Sequence, residues 1–116
     1  MPLFRKKDGP PPDPADVQVV ERLRSEGLDL TAPLEIRHVL SFETEGAARR
    51  AALEFGESPE WKIDVGRAVD GPVWLFVLAH RAVVDLVAIS QLRTSLRGLA
   101  ERNNGQYDGW EAGAPS

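Results

Sequence analysis

From Val73 to Ala79 the chain carries no polar side chain. Extended, this run places Val73, Leu75, Val77 and Ala79 on one face and Trp74, Phe76, Leu78 and then His80 on the other, so both faces are apolar. A strand of that kind belongs inside a sheet with cover on both sides. The strand reads from Val73 to Val83, after a turn at Asp70-Gly71-Pro72 and a preceding strand from Trp61 to Val69. An earlier run alternates strictly. Leu34, Ile36, His38, Leu40 and Phe42 face one way and Glu35, Arg37, Val39, Ser41 and Glu43 the other, the pattern of a half-buried strand.

Helical spacing occupies the intervals between these strands. Asp13 is placed to cap a helix that begins on Pro14 and carries Val17, Val20 and Leu23 along one side until Gly27 stops it. Thr44 caps a second helix with Ala48, Ala51, Ala52 and Phe55 on one stripe. Asp85 caps the longest, with Leu86, Ile89, Leu92, Leu96 and Leu99 as its apolar stripe and Asn103, Asn104 and Gly105 as candidate stops. A short last strand follows from Tyr107 to Glu111. The order β-α-β-β-α-β, with right-handed crossovers, predicts an α+β, ferredoxin-like split βαβ sandwich preceded by an extra N-terminal helix. Its two main helices cover one sheet face. Trp74, Phe76 and Leu78 are then expected on the other, covered by the N-terminal helix or by a partner chain, and otherwise open to self-association.

Residues 1–14 read as a flexible basic and proline-rich lead, 15–112 as one folded domain and 113–116 as a short tail. Arg5-Lys6-Lys7 is expected to be a solvated terminus, and the Pro-x-x-Pro spacing at Pro11 to Pro14 is explained by helix entry. No apolar segment follows the basic residues as a signal peptide requires, and the longest apolar runs are far too short to span a bilayer. With 116 residues, 14 basic and 18 acidic side chains and a net charge of −4, the chain is not built to concentrate positive charge on phosphates. Direct nucleic-acid binding is therefore not expected. The absence of cysteine removes disulfides, thiolate metal sites and cysteine nucleophiles, and suits a reducing compartment. These features predict a soluble cytoplasmic protein.

Catalytic candidates are few. His38 and His80 are the two histidines, and they fall on neighbouring strands, yet a metal site needs more ligands than this pair supplies. They read as core or edge histidines with a satisfied ring nitrogen. The acidic residues form no acid/base pair, and glycine-rich nucleotide loops and nucleophile elbows are absent. Trp61, Trp74 and Phe76 suggest a base-stacking sheet, but the basic-aromatic strand signature of RNA-recognition domains is missing. No cofactor, no metal and no catalytic residue are expected.

The final segment is the most specific. The last helix runs through Leu99-Ala100-Glu101-Arg102-Asn103-Asn104-Gly105 and passes at once into Gln106-Tyr107-Asp108-Gly109-Trp110-Glu111. In a regular strand Gln106, Asp108 and Trp110 point one way and Tyr107, Gly109 and Glu111 the other, unless Asp108-Gly109 forms a turn or bulge. The two aromatics either close the core or anchor an interface. This Y-D-G-W ending resembles the C-terminal signature of the regulator of ribonuclease activity B family. The likeness extends through Leu23-Arg24-Ser25-Glu26-Gly27-Leu28-Asp29-Leu30, the strand Glu35 to Phe42 and the alanine-rich helix Glu45 to Glu54.

The resemblance implies a non-catalytic protein that binds an endoribonuclease E-type enzyme, or its RNA-degradation complex, and inhibits it. Tyr107, Asp108, Gly109, Trp110 and Glu111 would then form the docking surface. Inhibitory members of the family carry an acidic tail, whereas the residues after Glu111 are Ala-Gly-Ala-Pro-Ser, which implies weaker binding or another partner. The alternative expectation is a small self-associating domain, a homodimer through the apolar face of the third strand.

Overall fold

The computed structural model describes residues 13–115. Arg5-Lys6-Lys7, the prolines before Asp13 and Ser116 lie outside the described residues. The first helix, α1, spans Pro14–Ser25, with Asp13 Oδ1 accepting from the Ala15 N–H at 2.8 Å and Pro14 at its start. Asp13 and Pro14 thus belong to the helix entry, not to the lead. Strand β1 (Leu34–Phe42) shows the strict in-out alternation of burial that its sequence predicts. Helix α2 (Glu45–Phe55) is capped by Thr44, whose Oγ1 accepts from Ala47 N–H at 3.1 Å. Then come β2 (Lys62–Arg67) and β3 (Trp74–Ala82), each shorter at its ends than the sequence pattern suggests. Helix α3 (Leu86–Arg102) begins on Asp85, whose Oδ1 accepts from Val87 and Ala88 N–H groups at 3.0 and 3.3 Å. Strand β4 (Gly105–Gly113) is longer than expected, taking in the first residue assigned to the tail.

The four strands form one sheet in the order β2-β3-β1-β4, and every neighbouring pair is antiparallel. Among the described residues this is a mixed α/β structure with three helices packed on the sheet. Cross-strand register decides which residues share a face. Leu40 lies opposite Phe76, His38 opposite Leu78 and Phe42 opposite Trp74, so the bulky set of β3 shares a face with the inward set of β1. Helices α2 and α3 cover that face, burying Phe76 and Leu78 completely against Leu40, Phe42, Ala48, Ala51 and Leu96. The small residues of α2 let its backbone approach the sheet closely, where larger side chains would hold it off.

Two expectations are thereby corrected. Phe76 and Leu78 are core residues, Trp74 packs half-buried beside them, and the three do not make an exposed face. Helix α1 does not cover the opposite face either. Its Leu23 packs with Ile36, Ile89 and Trp110, on the same side of the sheet as α2 and α3. The face bearing Val39, Leu75 and Val77 joins neither core cluster.

The last helix stops where Asn104 takes φ 61°, one of the three positions the sequence offered for a left-handed residue. Gly105 is required for a different reason. A Cβ there would lie 2.4 Å from Phe42 Cδ2 and 2.5 Å from the Ser41 carbonyl oxygen, so β4 can approach β1 only without a side chain. We expect Gly105→Ala to destabilise the fold by about 1–3 kcal/mol, read as a lower urea midpoint, because the clash is with backbone and a buried ring.

Candidate functional site

Strand β4 carries a bulge. Val39 of β1 pairs with Gly109 while the next residue, Leu40, pairs with Tyr107, which leaves Asp108 as the extra residue. Gly109 has φ 132°, a conformation that side chains with a Cβ rarely adopt. In a regular strand residues 107 and 110 would face opposite sides. The inserted residue reverses the alternation, so Tyr107 and Trp110 both turn to the helical face. Trp110 is only 8% exposed, and Tyr107 packs half-buried against the main core.

Each ring ends in a polar clasp. The Trp110 indole Nε1–H donates to Asp16 Oδ1 of α1 at 2.8 Å. Asp16 Oδ2 accepts from the Arg93 guanidinium of α3, and the other Arg93 nitrogen lies 3.6 Å from Asp13 Oδ2. Asp16 and Arg93 are 3% and 7% exposed, so each would bear an uncompensated desolvation cost without the other. One tryptophan, one carboxylate and one guanidinium therefore tie β4, α1 and α3 together. Tyr107 meets β1 through its hydroxyl, 2.9 Å from Nδ1 of the fully buried His38. His38 stacks on His80 with ring centroids 6.1 Å apart, and Trp61 lies over His80 at 4.3 Å.

Burial dominates the protonation of this group. It pushes His38 down to about 4, helped by His80 and then Arg93, so the ring is neutral near pH 7. His80 is lowered by burial as well, while Tyr107 is pushed up to about 12 by the same cause. General-base work near neutral pH calls for an imidazole that titrates there and can be reached, which His38 does not offer. The two histidines come together as their strands predicted, but among the described residues no group of three His, Asp or Glu side chains could hold a metal ion.

What the last strand leaves outside is acidic. Asp108, the bulge residue, and Glu111 are exposed on β4, which is an edge strand of the sheet. Beside them a groove of about 540 Å³ runs between α1, α3 and β4, with Asp108 and Trp110 on one wall and Arg22, Arg93 and Arg97 on the others. Of the five residues that the sequence marks for docking, then, Asp108 and Glu111 point to solvent, while Tyr107 and Trp110 serve packing with their polar ends satisfied inside. Asp16 and Arg93 were not singled out by sequence reasoning. A signal for Arg93 exists: it follows Ile89 by four residues and precedes Leu96 by three, so it sits on the apolar stripe of α3.

Comparison with known protein families matches residues 13–112 to the regulator of ribonuclease activity B. The chain belongs to that family. The matched span opens on Asp13, the cap of α1, and closes on Ala112 in β4, so both partners of the Asp16–Trp110 clasp fall within the family's unit. The Y-D-G-W ending that suggested the family is thus, in this member, the segment whose aromatic pair closes the fold. A search of curated proteins returned no match. No helix among the described residues is long and apolar enough to cross a membrane.

Proposed function

We propose that this member of the regulator of ribonuclease activity B family is a non-catalytic protein that binds an endoribonuclease E-type enzyme, or the RNA-degradation complex around it, and lowers its activity in the cytoplasm. The observation that carries the docking site is the bulge of β4. By turning Tyr107 and Trp110 inward it leaves Asp108 and Glu111 displayed on an edge strand. Enzymes that handle RNA concentrate lysine and arginine on their substrate-binding surfaces, and exposed carboxylates held by a rigid strand complement such surfaces. The net charge of −4 works in the same direction at long range.

The non-catalytic part of the reading is supported by the state of the buried cluster, with a neutral His38 and a tyrosine hydroxyl held protonated to about 12. The strand order and the two β-α-β crossovers support a ferredoxin-like body, with residues 15–112 as one folding unit.

The test is retention on an immobilised endoribonuclease E-type enzyme at micromolar concentration and low salt, paired with cleavage of a model RNA. The protein is expected to be retained and to slow cleavage, and the paired change Asp108→Lys with Glu111→Lys is expected to weaken retention at least about tenfold. Absence of retention by the unaltered protein at low salt contradicts the proposal.

A further inference from the structure

Beyond any ribonuclease partner, the register of the sheet points to a second copy of this chain. The face away from the helices is laid out in rows. Lys62, Ala79, Arg37 and Glu111 share one row across β2, β3, β1 and β4; Asp64, Val77, Val39 and Gly109 share the next; Gly66, Leu75, Ser41 and Gln106 the next. On the other side of the first row, Arg81 lies beside Glu35 and Gly113. The centre is apolar, with Val39, Val77 and Leu75 half-buried and Ala79 buried, and it belongs to neither core cluster. Charges flank it. Among the described residues no ion pair within the chain engages Lys62, Arg81 or Glu111.

We propose that two copies pack these faces together about a two-fold axis parallel to the strands, midway between β1 and β3. Such an axis keeps every row level and exchanges β2 with β4 and β3 with β1. Lys62 then meets Glu111 of the second copy, and Val77 meets its Val39. Each contact occurs twice because the interface is isologous. The row assignments produce no like-charge contact. The other in-plane axis, perpendicular to the strands through the row of Val39 and Val77, stacks Asp64 on its own copy and loses the match of Lys62 with Glu111. The pattern of signs therefore selects one arrangement of the second copy, which a face merely left unfinished would not do.

Sheets packed face to face align within about 30°. The central valines stay opposed under that rotation, and the flexible lysine, arginine and glutamate stems absorb the displacement at the rim. Arg37, held by Glu35 at 3.3 Å, lays its stem against Ala79 of the second copy without becoming an isolated charge. Four strands at a spacing of about 4.8 Å, over the roughly 20 Å of strand from Leu75 to Arg81, give a face of about 300–400 Å². That is smaller than the patch of about 800 Å² per partner in a standard interface, so the dimer is weak and forms with rising concentration.

Sedimentation velocity over a protein series from about 5 to 500 μM tests this, in a range suited to an interface below standard size. The weight-average mass is expected to climb from one chain towards two, and to climb less in high salt. Lys62→Glu, which opposes two like-charged pairs at once, is expected to raise the dissociation constant at least about tenfold, and the double change Lys62→Glu with Glu111→Lys to restore it. Both residues are exposed, so the variants keep the core intact. A mass of one chain throughout the series overturns the proposal, as does a dimer indifferent to Lys62→Glu. Glu111 belongs to both proposed surfaces, so Lys62→Glu, which lies outside the docking residues and is read as oligomeric mass without any nuclease, separates this result from the ribonuclease result.

Discussion

Asp16→Ala is expected to cost about 3–5 kcal/mol of folding stability at pH 7, because it leaves the guanidinium of Arg93 buried without its carboxylate. The same change orphans the Trp110 indole N–H. For a domain whose total stability is about 5–15 kcal/mol, the variant stands at the margin of folding at room temperature. Urea titration followed by tryptophan fluorescence gives the number. Asp16→Asn keeps an acceptor for Trp110 but no charge for Arg93, and is expected to recover only the smaller part of the loss. A cost below about 1 kcal/mol for Asp16→Ala, the level of an exposed pair, would show that the clasp is solvated and not structural.

Acid sensitivity from His38 comes next in size. Its ordinary value is 6.5, and burial, with His80 and Arg93 nearby, lowers it to about 4 in the folded chain. Well above pH 6.5 the ring is neutral whether folded or unfolded, so it contributes no slope there. As the pH falls below 6.5 the unfolded chain takes up a proton that the folded chain refuses, and stability declines until about pH 4. The accumulated loss is on the order of 3 kcal/mol. His80, also lowered by burial, acts with the same sign. Asp29, held low by Thr31, and Glu54, held low by Arg102 and Asn103, add their acid sensitivity only below their ordinary values of 3.8 and 4.5, beneath most of this window. Urea midpoints measured from pH 7.5 to 4.5 are expected to fall steadily for the unaltered protein and distinctly less for His38→Gln. Parallel profiles for the two would show that His38 protonates freely in the fold.

How far the sequence carried depends on which physical effect set each feature. The elements were legible because local chemistry fixes them: Asp13, Thr44 and Asp85 cap their helices as their types predict, and the alternation of Leu34 to Phe42 becomes the burial alternation of β1. Face assignment was not local. Val73 to Ala79 is apolar on both sides, and only the pairing of Phe76 with Leu40 reveals which side the helices cover. Placement of α1 failed for a related reason, since its apolar stripe fits either face and its position is decided by Asp16 reaching Arg93 and Trp110, residues 77 and 94 positions away. Charged residues in a helix read as solvated, so a buried aspartate and arginine leave little trace unless the stripe of α3 is scanned for an intruding cation.

The signature segment was legible as a signature and not as a geometry. Whether Tyr107 and Trp110 face the core together or on opposite sides depends on one inserted residue, and Asp108-Gly109 permits both a regular strand and a bulge. With the bulge in place the aromatic pair packs into the fold, and the acidic residues between and beyond it stay exposed for the contact proposed above. In this chain Tyr107 and Trp110 thus hold β4 to β1 and α1, and the proposed contact falls to Asp108 and Glu111.

That division of labour is tested most directly by Trp110→Phe, which keeps an aromatic ring in the core but removes the indole N–H that Asp16 accepts. The measurement is retention of the folded variant on an immobilised endoribonuclease E-type enzyme at low salt. The account predicts a lower urea midpoint, by about 1–3 kcal/mol of stability, with retention equal to that of the unaltered protein. Retention lost while the urea midpoint stays unchanged would contradict it, because the tryptophan would then be touching the partner and not the helix.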